Sequence, residues 1–157
     1  MLNGESEQIG KIDAKAIKEL IKAEGIDLVG IADAKNLILA HPARPATALM
    51  PTAKSVIVMA VEHTLGTVYS PDIMLWTRSK MQTSRLLDET AEKIGRMLEK
   101  KGYLSLPVSA DKPVEIIKHD PKTGKKFRQT KTVGFLSLKH AALSCGMGEI
   151  GKNNLLL

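Results

Sequence analysis

The stretch that decides the fold is His140-Ala-Ala-Leu-Ser-Cys-Gly-Met-Gly-Glu-Ile-Gly-Lys-Asn-Asn-Leu-Leu-Leu157. Glycines stand at Gly146, Gly148 and Gly151 directly after an apolar, helix-forming run, and Lys152–Asn154 follows them. Because glycine has no Cβ, such a cluster lets another group approach the backbone closely. The pattern predicts a helix that ends at the first glycine, followed by a tight connection.

The spacing Gly146-x-Gly148-x-x-Gly151 matches the dinucleotide-binding fingerprint, but its context does not. That fingerprint needs a strand before the glycines and a helix after them. Here a helical run precedes the glycines and an apolar, strand-like run follows, which excludes the dinucleotide interpretation. Lys152, Asn153 and Asn154 are then either loop residues or ligand contacts, and the spacing is compatible with both.

Upstream of this stretch, amphipathic and β-branched segments alternate along the chain. Asp13 is a good helix N-cap, and the prolines of His41–Pro45 indicate a loop. The alternation predicts one α+β (α/β-like) domain covering residues 1–157. The predicted helices are Asp13–Gly25, Pro71–Lys101 and Leu136–Cys145, and the predicted strands are Ile26–Ala32, Ser55–Val61 and Tyr103–Val108.

Composition limits the class of protein further. The chain has 157 residues, of which 43% are hydrophobic, 25% charged and only 3% aromatic, which is typical of a globular domain with an aliphatic core. No apolar run approaches the ~20 residues that span a bilayer, and the N-terminus lacks a signal-peptide pattern. The single cysteine, Cys145, excludes an internal disulfide and an iron–sulfur or cysteine zinc site built from this chain alone. We therefore expect a cytoplasmic protein without membrane contact.

The net charge of +6 is concentrated in one segment, Lys118–Lys131. Its sequence Pro121-Lys-Thr-Gly124 is typical of a turn, so we expect a basic loop or hairpin tip there. Proteins that bind nucleic acids commonly interleave aromatic residues for stacking, and here only Phe127 is present. A solvated loop and a patch that faces an anion or RNA both fit.

Three further residues have side chains of the types that bind metals, act as nucleophiles or donate protons. His140 has no histidine or carboxylate three or four residues away, so we interpret it as a packing residue and predict no metal site. Cys145 is interpreted as a buried structural cysteine, because a helix C-terminus does not favour the thiolate. Asp111 follows a predicted strand, where it is either a turn residue or an acid that donates a proton if burial raises its pKa.

Three pieces of the sequence resemble one protein family. Leu138–Leu156 is similar to the signature HAA-x-x-AGLG-x-IGKN-x-LL of epoxyqueuosine reductases and their iron–sulfur relatives, which include corrinoid-dependent reductive dehalogenases. Gly25–Asp33 and Leu49–Ala60 resemble earlier segments of the same proteins, in the same order. The likeness covers most of the chain and corresponds to the N-terminal half of such proteins.

The resemblance implies a nitroreductase-like, corrinoid-binding domain with a central mixed sheet flanked by helices. It implies cobalamin as the cofactor, FMN as the alternative, and two [4Fe–4S] clusters only in a C-terminal part or in a ferredoxin-type partner. Asp111 and, more weakly, Tyr103 would supply a proton. The positions that would lie beside the cofactor are His140, Gly146, Gly148, Gly151, Lys152 and Asn153.

Differences from the family pattern favour its iron–sulfur paralogues over the tRNA-modifying enzyme. Ala-Gly-Leu-Gly is replaced by Cys145-Gly-Met-Gly148, and Glu149 stands where tryptophan is usual. The expected function is therefore reductive deoxygenation or dehalogenation at cobalt, in the corrinoid-binding domain of an oxidoreductase. The alternatives are a non-catalytic module that binds a corrinoid or flavin, and a basic domain that faces RNA, with tRNA as its partner. A homodimer is expected from the fold analogy alone.

Overall fold

The structure is a computed structural model that describes residues 12–37, 45–110, 114–131 and 136–157; for the strand residues 114–118 and 127–131 it describes the backbone. Helices and short strands alternate along the described chain. In order, the elements are α1 (Ala14–Lys22), β1 (Leu28–Asp33), a 3₁₀ turn (Ala34–Asn36), α2 (Ala46–Leu49), β2 (Ser55–Ala60), α3 (Leu65–Val68), α4 (Ile73–Lys100), β3 (Val114–His119), β4 (Lys126–Lys131) and α5 (Leu138–Ser144). Within the described residues, no helix has the length and apolar character needed to cross a membrane.

The long helix α4 has the bounds that its sequence predicts. The Asp72 carboxylate accepts the N–H of Met74 at 2.8 Å, which satisfies one of the unpaired donors at the start of the helix. At the other end, Gly102 adopts a φ of 82°, a left-handed conformation that ends helices readily in glycine. The helices predicted at α1 and α5 and the strands predicted at β1 and β2 are confirmed as well.

The described residues form two compact units. The first combines Met1–Val29 with Met59–Pro107, and the second combines Gly30–Val58 with Val108–Leu157. The first unit buries Ile21, Ile26 and Ile94, which α1, its following turn and α4 contribute. An ion pair of 2.6 Å between Lys93 Nζ and Glu24 Oε2 connects α4 with the turn after α1.

The core of the second unit is built from small aliphatic side chains. Four alanines and one leucine form its buried centre, and Met50, Val56 and Val58 pack against it among the partly buried residues. A core of alanines fills little volume per residue, so the backbone segments that carry it lie close together. The buried members are Ala34, Leu37, Ala46, Ala53 and Ala141.

The described strands form two sheets of two strands each. Asp27 N–H donates to the Ala60 carbonyl at 3.2 Å and Ala34 N–H donates to the Lys54 carbonyl at 2.9 Å, so β1 and β2 run antiparallel. β3 and β4 are also antiparallel and form a hairpin across the predicted basic segment. The α+β class is therefore confirmed, whereas the larger mixed sheet stays a prediction.

One predicted strand is wrong. Tyr103–Val108 follows α4 without strand structure, and both of its leucine side chains are left largely exposed. Leu104 is 67% exposed and Leu106 is 50% exposed. Pro107 also lacks the N–H that a strand interior would donate. The predicted loop His41–Pro45 lies outside the described residues except for Pro45.

Gly30 of β1 is packed closely against the turn after α5. A Cβ on Gly30 would meet Cys145 Cβ and would lie 2.7 Å from Met147 Sδ. We expect Gly30→Ala to lower the free energy of unfolding by about 1–3 kcal/mol, because the inserted methyl group forces the strand and the turn after α5 apart. Urea denaturation followed by circular dichroism measures the change.

Gly66→Ala in α3 is the matched control, because among the described residues no heavy atom outside its own helix lies within 4 Å of the added Cβ. This variant should be as stable as the parent or slightly more stable. Equal stability of the Gly30→Ala variant and the parent would contradict the predicted steric conflict.

Candidate functional site

The signature segment begins with a hydrogen bond between two side chains at the start of α5. Ser137 Oγ and His140 Nδ1 lie 2.6 Å apart, across the first turn of the helix. His140 is 9% exposed, and Ser144 Oγ donates to its carbonyl oxygen at 2.8 Å. Ala141 and Ala142 are buried beside it. The imidazole ring is thus fixed by packing and by a serine partner, as expected of a packing residue.

The end of α5 is closed by backbone hydrogen bonds around Gly146. Met147 N–H donates to the Ala142 carbonyl at 3.0 Å, and Gly146 N–H donates to the Leu143 carbonyl at 2.9 Å. Gly146 has a φ of 68°, the left-handed conformation that this type of helix end requires. The prediction that the helix ends at the first glycine is confirmed.

The rest of the signature folds back as a short hairpin. Glu149 and Leu157 exchange two backbone hydrogen bonds of 2.9 and 2.8 Å, and Gly151 N–H donates to the Leu155 carbonyl at 2.9 Å. The intervening turn contains Asn154 in a left-handed conformation with a φ of 63°. Lys139 Nζ from α5 donates to the Asn154 carbonyl at 3.0 Å, which ties the helix to this turn.

The three glycines of the signature have different surroundings. A Cβ on Gly148 would clash with the Leu157 carbonyl oxygen, and one on Gly151 would lie 2.6 Å from Leu157 Cδ1. Within the part of the chain that the structure describes, no heavy atom beyond its chain neighbours lies within 4 Å of the Gly146 Cβ position, and Gly146 is exposed. The sequence predicts that another group approaches the glycine backbone closely. At Gly148 and Gly151 that group is Leu157 of the same chain, whereas the backbone of Gly146 is exposed to solvent.

The predicted site residues are only partly brought together. The six positions from His140 to Asn153 lie on one continuous helix and hairpin, with Lys152 and Asn153 exposed in its turn. Asn153 Oδ1 accepts the N–H of Leu155 at 3.2 Å, which shapes that turn. Tyr103 belongs to the first unit and is 37% exposed. Asp111 lies outside the described residues.

Cys145 is half-buried at the C-cap of α5, where its Cβ lies against Gly30. Within the described part of the chain, no group of three or more His, Cys, Asp or Glu side chains could hold a metal ion.

The tip of the β3–β4 hairpin has its own internal structure. Asp120 Oδ1 accepts the N–H of Lys122 at 2.9 Å, and Asp120 Oδ2 accepts the hydroxyl of Thr123 at 2.6 Å. These two hydrogen bonds hold the pKa of the Asp120 carboxyl below its usual value, and the bond from the Thr123 hydroxyl has the larger effect. Lys122, Lys125 and Lys126 are exposed around this turn. The predicted hairpin tip is confirmed, and its cations face solvent.

Three residues of the signature's surroundings were not predicted from the sequence. Ser137 stands three residues before His140, a spacing that places a helix-capping residue against the third helical position. That spacing could have suggested the pair. Gly30 and Leu157 could not have been found in this way, because their roles depend on contacts between segments distant along the chain.

Comparison with models of protein families, with curated proteins and with solved structures gives no match for this chain.

The Ser137–His140 pair can be tested through stability. We expect Ser137→Ala to lower the free energy of unfolding by about 1–2 kcal/mol, because it leaves a nearly buried ring nitrogen without its serine partner. Ser137→Thr retains a hydroxyl and should restore most of the loss. Urea denaturation of the two variants measures both changes.

Ser84→Ala, a substitution of a half-buried serine in α4, is the control and should change the free energy of unfolding by less than about 0.5 kcal/mol. A Ser137→Ala variant that loses no more than the control would refute a stabilising role for the pair.

Proposed function

We propose that this chain is the corrinoid-binding domain of an iron–sulfur oxidoreductase similar to epoxyqueuosine reductase. In this proposal the fold belongs to the nitroreductase-like, corrinoid-binding class, and the protein works in the cytoplasm. The observation that carries the proposal is the open backbone at Gly146, which is followed along the chain by a hairpin whose turn exposes Lys152 and Asn153. The order of the three family-like sequence pieces supports it independently.

The described residues fit a corrinoid at one part of the signature. Gly146 has no side chain, and apart from its chain neighbours no described residue lies within 4 Å of its Cβ position, so a flat ring can approach its backbone. The Lys152 ammonium can donate hydrogen bonds to the amide or phosphate oxygens that surround a corrin ring. Gly148 and Gly151 would act indirectly, because their closeness to Leu157 shapes the hairpin that carries Lys152.

His140 would be a positioning residue in this site. Its ring is held by Ser137 and its helix is tied by Lys139 to the Asn154 carbonyl, so α5 and the turn keep a fixed arrangement. A bound corrinoid would supply a redox-active cobalt centre for reductive removal of oxygen or halogen, with electrons from an iron–sulfur domain or partner. The Tyr103 hydroxyl and the Asp111 carboxyl are the proposed proton donors.

Retention of the cofactor tests this function without an activity assay. The protein is incubated with hydroxocobalamin or, in a parallel sample, with FMN, then desalted and examined by absorbance. We expect the corrinoid spectrum to remain with the protein. Lys152→Ala should weaken retention about tenfold or more, because it removes a charged hydrogen-bond donor.

Lys35→Ala is the matched control, since it removes an exposed lysine of the same unit outside the signature. It should leave retention unchanged. Loss of the corrinoid from the unaltered protein on desalting would reject the proposed cofactor, and selective retention of FMN would replace it with a flavin. Equal retention by the Lys152→Ala variant and the parent would remove Lys152 from the site.

A second function, binding of RNA by the basic hairpin tip, is favoured by one observation. Lys122, Lys125 and Lys126 are exposed around a turn whose backbone the Asp120 carboxylate fixes. Fixed cations neutralise phosphates and release counterions, so binding should weaken steeply with salt. This surface could serve a tRNA substrate of the proposed enzyme or act by itself.

Replacement of these three lysines by glutamine tests the RNA surface. We expect weaker tRNA binding and a decrease of about 2–3 in the slope of log K against log salt concentration. The control variant replaces Lys22, Lys100 and Lys101, which are all exposed, and removes the same charge. Equal losses in both triple variants would indicate non-specific attraction by the net charge and would contradict a site at the hairpin tip.

A further inference from the structure

The β3–β4 hairpin carries most of the net charge of the chain. Residues 114–131 contain six lysines and arginines and two acids, so the hairpin has a net charge of +4, whereas the whole chain has +6. His119, the last residue of β3, is the only histidine in this range, and its side chain is exposed. Histidine is the side-chain type that gains or loses its charge near neutral pH. The charge of the hairpin therefore depends on pH through His119.

The strand register decides which residues of the hairpin stand side by side. His119 lies directly opposite Lys126, whose side chain is also exposed. The next pair towards the turn is Asp120 with Lys125, since the Asp120 N–H donates to the Lys125 carbonyl at 2.9 Å. Residues directly opposite one another have Cβ atoms about 4.5–5.5 Å apart. Lys125 thus has an acid as its cross-strand neighbour, whereas Lys126 has a histidine.

These two pairs belong to opposite faces of the hairpin, because successive positions of a strand alternate between the faces. On the face of His119 and Lys126, the next pair away from the turn is Ile117 with Arg128. We call these four positions the His119 face. The nearest acid on the same face is Glu115, four residues from His119 along β3, which is about 13 Å in a strand. The backbone register therefore groups two cations and one histidine without an acid among them.

The turn that joins the strands is held by its own hydrogen bonds. Gly124 N–H donates to the Asp120 carbonyl at 2.8 Å, and the Asp120 carboxylate accepts the Lys122 N–H and the Thr123 hydroxyl. These bonds lower the pKa of the Asp120 carboxyl, so it stays an anion at neutral pH and is occupied within the turn. A fixed turn keeps His119 opposite Lys126 before any ligand binds, which reduces the ordering that binding requires.

A phosphodiester has the chemistry that fits the pair of His119 and Lys126. A protonated imidazole and an ammonium group both donate charge-assisted hydrogen bonds, and phosphate oxygens accept them. Two cations directly opposite one another repel, and an anion that contacts both offsets this repulsion. Binding of a phosphate therefore favours the protonated ring, and protonation of the ring favours binding to the same extent.

We propose that the His119 face binds a phosphate of an RNA backbone between His119 and Lys126, and that His119 takes up a proton as the RNA binds. This inference rests on the proposed RNA function of the hairpin tip. It adds His119 as a binding residue, assigns the contact to one face of the hairpin, and makes the affinity depend on pH. RNA should bind more tightly as the pH falls from 8 to 6, because the protonated ring is the form that carries the charge.

Anisotropy of fluorescently labelled tRNA measures the affinity of the full chain at pH 6 and pH 8 and at one ionic strength. We expect the unaltered protein to bind about fivefold more tightly at pH 6, because it gains one charge-assisted hydrogen bond. His119→Gln should bind at both pH values as weakly as the unaltered protein does at pH 8. His119→Lys has a charge that does not change in this range, so it should bind tightly at both.

His63→Gln is the matched control, because it removes a histidine of the first unit and should keep the pH dependence. Lys125→Gln, on the opposite face of the hairpin, should weaken binding at both pH values by the same factor. Lys126→Gln should weaken binding and also reduce the ratio between the two pH values, since the phosphate then has one partner fewer beside His119. Circular dichroism checks that each variant keeps its secondary structure.

The outcomes separate this inference from the RNA function on which it rests. If the unaltered protein binds no tRNA at either pH, both are rejected. If replacement of the three tip lysines abolishes tRNA binding but His119→Gln keeps the full pH dependence, the RNA surface stands and the role of His119 is overturned. Polyaspartate that binds as tightly as tRNA, with the same pH dependence, would assign the His119 face to acidic peptides and would overturn the phosphate site.

Discussion

The contact between Gly30 and the turn after α5 is the constraint on which the second unit depends. The side chains of Cys145 and Met147 occupy the space where any side chain on Gly30 would lie, so the backbone of β1 lies directly against these two side chains. This closeness is consistent with a core made largely of alanines, such as Ala34 and Ala141. An alanine side chain is short, so it packs against a neighbouring segment only when that segment is near. The signature segment is therefore attached to the unit at its glycine-rich end.

Glycine serves two physical purposes within a few residues of this contact. At Gly146 the requirement is conformational, because a φ of 68° ends α5 and directs the chain into the hairpin. At Gly148 and Gly151 the requirement is steric, because Leu157 fills the space that a Cβ would need. Much of the signature is thus explained by folding, and the part left for a ligand is the open backbone at Gly146 and the turn beyond it. The binding proposal rests on that smaller surface.

The local structure could be predicted well from the sequence because its signals are local. Asp72 and Gly102 delimit α4 by capping chemistry that needs no distant partner, and the same holds for Gly146 at the end of α5. Tyr103–Val108 was predicted wrongly because β-branched and apolar composition indicates a strand only where another segment covers it. For the same reason the partner of Gly30 could not be predicted. The proposed cofactor contacts cannot be predicted from the sequence either, since the spacing of glycines does not distinguish a glycine that faces Leu157 from one that faces a ligand.

Large apolar side chains are distributed differently in the two units. Burying one large aliphatic side chain contributes about 1.5–3 kcal/mol, so a chain that only had to fold would place such residues inside. Here the second unit folds around alanines, whereas Tyr69, Ile73 and Trp76 are left 80, 69 and 40% exposed in the first unit. Asp72, which starts α4 beneath them, fixes the turn that displays these side chains. Local capping therefore fixes the turn at the start of α4 even though the described core leaves its apolar side chains uncovered.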